Sequence, residues 1–106
     1  MKRIRIYRKP DGSAPFVEWY TSLRDRQGAA KIRTRLRRIR LGNLGDCKPV
    51  GKGVLELRIA FGPGYRIYAG LFGSLLVVLL CGGDKSTQAG DIAKAQAYWD
   101  DYKGRL

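Results

Sequence analysis

Histidine is absent from all 106 residues of the chain. That absence excludes an imidazole general base, a histidine-containing triad and any histidine-ligated metal site. Cysteine is scarce: Cys47 and Cys81 lie far apart, without the close spacing of metal-binding pairs. Two isolated thiols suit a reducing compartment, and Cys81, in an apolar stretch, reads as a core residue. No apolar run is long enough to cross a bilayer as a helix, the longest being Leu71–Cys81. The amino-terminal MKRIRIYRK is charged and lacks the apolar segment of a secretory signal. These absences together predict a cytoplasmic protein that uses neither a metal nor a cofactor. Acidic residues are also few, 9 against 21 Lys and Arg, which leaves a net charge of +12. A folded surface with that excess repels itself and asks for a polyanionic partner. Nucleic acid leads, an acidic protein inhibitor follows, and a membrane surface is not expected.

What is present is enough for one α+β domain over residues 1–106. Hydrophobic residues make up 44% of the chain, which supports a packed core rather than disorder. Lys2–Tyr7 alternates charge with Ile4 and Ile6 and predicts a first strand. Phe16, Trp19, Tyr20 and Leu23 recur at helical spacing after Ser13 and Pro15. Asp25 is placed to cap a second helix from about Arg26 to Leu41, with Ala29, Ile32, Leu36 and Ile39 as its apolar stripe. Gly42-Asn43 ends it, and Leu44–Gly53 reads as a loop.

Three strands follow. In Val54–Ala60, Leu55, Leu57 and Ile59 face a core, with Glu56 and Arg58 on the opposite side. Gly62-Pro63-Gly64 supplies a turn, and Tyr65–Leu71 sets Tyr65, Ile67 and Ala69 against Arg66 and Tyr68. Leu75–Cys81 is continuously apolar and belongs inside a sheet. It is expected to exit through a flexible turn at Gly82-Gly83-Asp84-Lys85. A last helix starts near Gln88, capped by Ser86 or Thr87, with Ile92, Ala95, Trp99 and Tyr102 buried. The predicted order is β-α-α-β-β-β-α.

Two regions carry candidate chemistry. On the second helix, Arg33 and Arg37 form an i,i+4 like-charge pair with no interleaved acid, which costs about 0.2–0.5 kcal/mol. With Arg40 they are candidate contacts to phosphates or to an acidic partner. On the sheet, Arg58 and Arg66 occupy one face of adjacent strands, with Lys85 after the neighbouring strand and Lys48 and Lys52 before the first. Such cations, with Tyr68 nearby, suit a scissile phosphate and the charge that builds during phosphoryl transfer. RNA brings its own nucleophile, the 2′-hydroxyl, so cleavage needs no metal. Proton transfer then falls to Lys, Asp, Glu or Tyr; Asp84 and Glu56 are the carboxylates of the stretch. The competing interpretation is a solvated strand face with weak cross-strand pairs. Gly51-Lys52-Gly53 and Gly82-Gly83-Asp84-Lys85-Ser86-Thr87 do not match GxxxxGK[ST], which rules out a nucleoside-triphosphate loop of that type.

FVEWYTSLRD, the arginine-rich helix running to LGNLGDCKPVGKGVLELRI, GPGYRIY and LLCGGDKSTQAGDIAKA together resemble the RelE/ParE toxin superfamily. The nearest branch is the HigB-like, phage-related group of addiction-module killer proteins, and the resemblance covers nearly the whole chain. It implies a RelE-like α+β domain with a mostly antiparallel twisted sheet packed on helices. It also implies a small toxin of a type II toxin–antitoxin system, neutralised by a cognate antitoxin, itself a helix-turn-helix DNA-binding protein. Operator DNA would be met only through the antitoxin complex. In the RelE-like and HigB-like branches the activity is metal-independent cleavage of mRNA on the translating ribosome. On that resemblance Arg58, Arg66 and Lys85 match basic positions for phosphate binding or catalysis. Asp84, Tyr68 and Glu56 are weaker candidates for proton transfer, and Lys48 and Lys52 for contacts to rRNA or mRNA. The ParE-like branch poisons DNA gyrase and cuts no RNA, and a nucleic-acid-binding module without catalysis is a third possibility.

Overall fold

The computed structural model describes residues 1–106. Alternation of Ile4 and Ile6 with arginines produces β1, Arg3–Ile6. Proline at the first turn opens α1, Pro15–Ser22, and Asp25 caps α2, Arg26–Arg40, by accepting from Gly28 N at 2.9 Å. The carboxyl-terminal half supplies β2 (Cys47–Pro49), β3 (Val54–Ile59), β4 (Tyr65–Phe72) and β5 (Leu76–Asp84). A 3-10 turn at Lys85–Thr87 leads into α3, Gln88–Gly104.

All five strands join one sheet in the order β1-β5-β4-β3-β2. Only the β1–β5 pair is parallel; the other three are antiparallel. The apolar run sits where its burial demands, in interior strand β5, with Val77–Leu80 at most 1% exposed. Helices cover both faces. Against α1 and α2 lie Leu57, Ile59, Ile67, Val77 and Leu79, meeting Phe16, Ile32 and Ile39. Against α3 lie Val54, Tyr68, Val78, Leu80 and Cys81, meeting Ala95 and Trp99.

Two expectations are corrected here. Leu44–Gly53 is not wholly loop: Cys47–Pro49 pairs with Leu55–Leu57 as edge strand β2, so the order contains one more strand. Gly82-Gly83 is not a turn either, because β5 continues through both to Asp84. The glycines there serve close approach. A β-carbon on Gly82 would collide with the Trp19 ring of α1, and one on Gly70 with the Trp99 ring of α3. Each tryptophan thus lies flat on a glycine, one per face of the sheet. Gly82→Ala and Gly70→Ala are each expected to cost about 1–3 kcal/mol by overpacking. Thermal melting should register this as a loss of about 4–8 °C per kcal/mol.

Candidate functional site

The β3–β4 register places Arg58 directly opposite Arg66 and Glu56 directly opposite Tyr68. Lys48 of β2 stands opposite Glu56 on the same face. Directly opposed like charges destabilise a sheet unless something neutralises them. Here each arginine has its own carboxylate. Arg58 Nη2 pairs with Asp46 Oδ1 at 2.9 Å, and Arg66 Nε lies 3.6 Å from Glu56 Oε2. The second contact is an ion pair without hydrogen-bond geometry, since Arg66 Nε is buried with no hydrogen-bond acceptor.

Glu56 is completely buried, contrary to its expected place on an exposed face, because α3 lies over this part of the sheet. A buried carboxylate needs donors. Tyr68 OH supplies one at 3.0 Å and Gln88 Nε2 another at 2.8 Å, both to Oε2. Oε1 has no partner. Tyr68 is also fully buried, which corrects its expected position beside a phosphate: the phenol touches Glu56 instead. Burial first, and donation to that carboxylate second, push its pKa far above the usual phenol range.

Arg66 is anchored at a second point, where Nη1 donates to Gly64 O at 2.7 Å. Gly64 adopts φ +79°, the left-handed conformation that glycine tolerates, and this bends the carbonyl back onto the guanidinium. Arg58 is held through its backbone. Arg35 of α2 donates Nη1 to Arg58 O (2.8 Å), Nε to Leu44 O (2.9 Å) and Nη2 to Asp46 O (2.6 Å). Arg35 therefore belongs to the framework rather than to the basic surface, and burial lowers its pKa. It fixes the Asp46 loop against β3. Neither Arg35 nor Gln88 was foreseen as a site residue; the one was hidden among six other basic residues of its helix, the other behind its role as a helix start.

The remaining candidates divide. Lys85 is exposed in the 3-10 turn, belongs to none of the four ion pairs, and lies beside Gly64. Asp84 caps that turn: its Oδ1 accepts from Ser86 N at 2.8 Å and from Ser86 Oγ, and the latter bond first holds its carboxyl below the ordinary range. Lys52 is exposed in the β2–β3 turn at φ +55°, unusual for a residue with a side chain. Arg33, Arg37 and Arg40 do not converge with the sheet arginines, because α2 packs on the opposite face. They line a separate shallow groove of about 290 Å³ with Leu36, and Arg33 donates to Tyr20 OH at 2.7 Å. No group of three or more His, Cys, Asp or Glu residues is arranged to hold a metal ion.

No model of a known protein family matches the chain. An uncharacterized protein of Haemophilus influenzae is 48% identical to it over 81 residues, covering 76% of this chain and 82% of that protein. The two belong to one family. No helix of this member is long and apolar enough to cross a membrane.

Acid stability follows from the same hydrogen bonds. Asp25 is held below the ordinary carboxyl range by Gly28 N and then by Tyr65 OH at 2.8 Å, as Asp84 is by Ser86. A carboxyl depressed on folding stabilises fully above its unfolded value, about 3.9, and that contribution is lost as pH falls through the folded value. The melting temperature is expected to be flat from pH 7 to about pH 5 and to fall below about pH 4. Asp25→Asn should shrink that fall in a series of melts across pH.

Proposed function

We propose that this protein is a RelE-like, HigB-like toxin of a type II toxin–antitoxin system that cleaves mRNA on translating ribosomes without a metal. The observation that carries this reading is the opposed pair Arg58 and Arg66. Each spends one terminal guanidinium nitrogen on the protein. The other, Nη1 of Arg58 and Nη2 of Arg66, has no protein partner and reaches solvent. Two such donors from facing strands match the non-bridging oxygens of one phosphate. The RNA 2′-oxygen attacks the adjacent phosphorus; the O2′–P bond forms, the P–O5′ bond breaks, and a 2′,3′-cyclic phosphate and a 5′-hydroxyl result. The arginines stabilise the charge on the pentacovalent phosphorus. Lys85 is the one proposed proton-transfer group that is both exposed and free, so it serves the departing 5′-oxygen, while water takes the 2′ proton. Asp84 is engaged as a cap, and Tyr68 and Glu56 are sealed behind Arg66.

The α+β architecture, the net charge of +12 and the motifs around Arg58 and Arg66 support the superfamily assignment. A single cytoplasmic domain, a helix-turn-helix antitoxin as partner, and operator contact only through that antitoxin follow from the same assignment. Lys48, opposite Glu56, borders the arginine pair and extends the RNA contact, Lys52 stands at the far end of β3 from Arg58 and adds to the basic surface there, and ribosomal RNA meets Arg33, Arg37 and Arg40. A second reading, binding without cleavage as in a gyrase poison, is favoured by one observation: no unengaged carboxylate stands in the cluster. Mapping RNA 5′ ends after adding the purified protein to a defined mRNA separates the two. Cuts inside codons, only where ribosomes translate, are expected. Intact mRNA in both tubes, from protein that arrests growth in cells, would replace the nuclease with the gyrase-directed activity.

A further inference from the structure

Between α2 and the β3–β4 turn lies a groove of about 690 Å³ with no part in the chemistry above. That size lies within the range of small-ligand sites. Its floor is apolar, with Ile59, Ala60 and the Phe61 ring, and its walls carry Lys31, Arg38, Gln27 and Thr34. No carboxylate lines it. Lys31 Nζ sits 5.4 Å from the centroid of the Phe61 ring, and both Lys31 and Arg38 are exposed and outside every ion pair. Arg35 borders the groove with all three guanidinium nitrogens already bonded to backbone carbonyls, so it contributes chiefly positive potential.

We propose that this groove is a nucleotide subsite for single-stranded RNA, taking one residue of the strand whose scissile phosphate lies at Arg58 and Arg66. Flat apolar atoms beside an aromatic ring accept a base, the two free cations take the adjoining phosphate, and Gln27 and Thr34 offer hydrogen bonds to the base edge. Continuity selects RNA over an acidic peptide. Ile59 and Ala60 directly follow Arg58, so the groove floor begins about 3–7 Å along the strand from it, on the α2 face opposite the one that carries the arginines. A strand leaving the arginine pair passes round the end of β3 and enters the groove. The proposal rests on the nuclease reading for the direction of that strand, but RNA binding in the groove does not depend on cleavage.

The test is fluorescence anisotropy of a labelled 2′-O-methyl RNA hexamer, which cannot be cut by 2′ attack, at low ionic strength. Lys31→Glu with Arg38→Glu is expected to weaken binding at least tenfold. Arg24→Glu with Lys94→Glu, the same charge change at exposed positions outside the groove, should weaken it no more than about threefold. Phe61→Leu, which keeps an apolar side chain, should cost about fivefold or more through lost stacking. Equal losses from the two double variants would reduce the groove to part of a general positive field and overturn the proposal. Unchanged RNA binding with lost affinity for polyglutamate would also overturn it, in favour of a protein occupant. If the groove variant loses RNA while Arg58→Ala cuts mRNA as well as the parent, the subsite stands and the assigned nuclease centre falls.

Discussion

Arg58→Ala should lower ribosome-dependent mRNA cleavage by about 100- to 1,000-fold, the usual loss when one pre-organised donor to a developing anion is removed. Its melting temperature should stay within a few degrees of the parent. The structure makes the variant clean. The Arg58–Asp46 pair is half in water, with side chains 38% and 58% exposed, and such pairs contribute about 0–1 kcal/mol. The loop it touches is held independently by two bonds from Arg35, to Leu44 O and Asp46 O, and by the Arg58 N–H to Asp46 O. Arg66→Ala should also abolish cleavage but is the poorer probe, because it strips the buried Glu56 of its cation. Single-turnover cleavage beside a melting curve decides the matter. Full cleavage by a folded Arg58→Ala protein would remove the arginine pair from the mechanism.

Glu56→Ala carries the largest expected stability effect. Removing one member of a buried ion pair costs about 3–5 kcal/mol, because the remaining charge stays desolvated without its partner. Here the loss extends further: Arg66, 13% exposed, loses its counter-charge, while Tyr68 OH and Gln88 Nε2 lose their acceptor. Glu56→Gln should cost less, since an amide oxygen still accepts from Tyr68. Urea denaturation of the three proteins gives the ordering parent, Gln, Ala. An alanine variant as stable as the parent would show that the network contributes specificity rather than stability.

Elements governed by periodicity were legible in the sequence, and those governed by tertiary contact were not. Strand alternation placed Arg58 and Arg66 on one face because a strand repeats every two residues. Helix spacing likewise marked Ala95 and Trp99, both buried under the sheet. Strand β2 escaped because three residues ending in proline carry no pattern. The continuation of β5 through Gly82-Gly83 escaped because turn chemistry and close packing both select glycine, and only the Trp19 ring tells them apart. Glu56 and Tyr68 were misplaced for a related reason. Alternation assigns residues to a face, but whether a helix covers that face depends on where α3 lands. Of the site candidates, Arg58 and Arg66 stand opposite each other on β3 and β4 and Lys85 lies beside Gly64, whereas Arg33, Arg37 and Arg40 belong to another surface.

Asp46 has a consequence for salt. It occupies one side of Arg58 in the resting protein, as a condensed ion occupies a free polycation, but it is tethered and leaves Nη1 open. In the proposed binding mode an RNA phosphate at Nη1 of Arg58 would share the guanidinium with Asp46 rather than displace it. The number of phosphates neutralised sets the slope of binding against salt, and an arginine already part-neutralised by Asp46 is expected to add less to that slope than an unpaired one. Discrimination at the arginine pair then rests on whether an anion fits beside a carboxylate already in place.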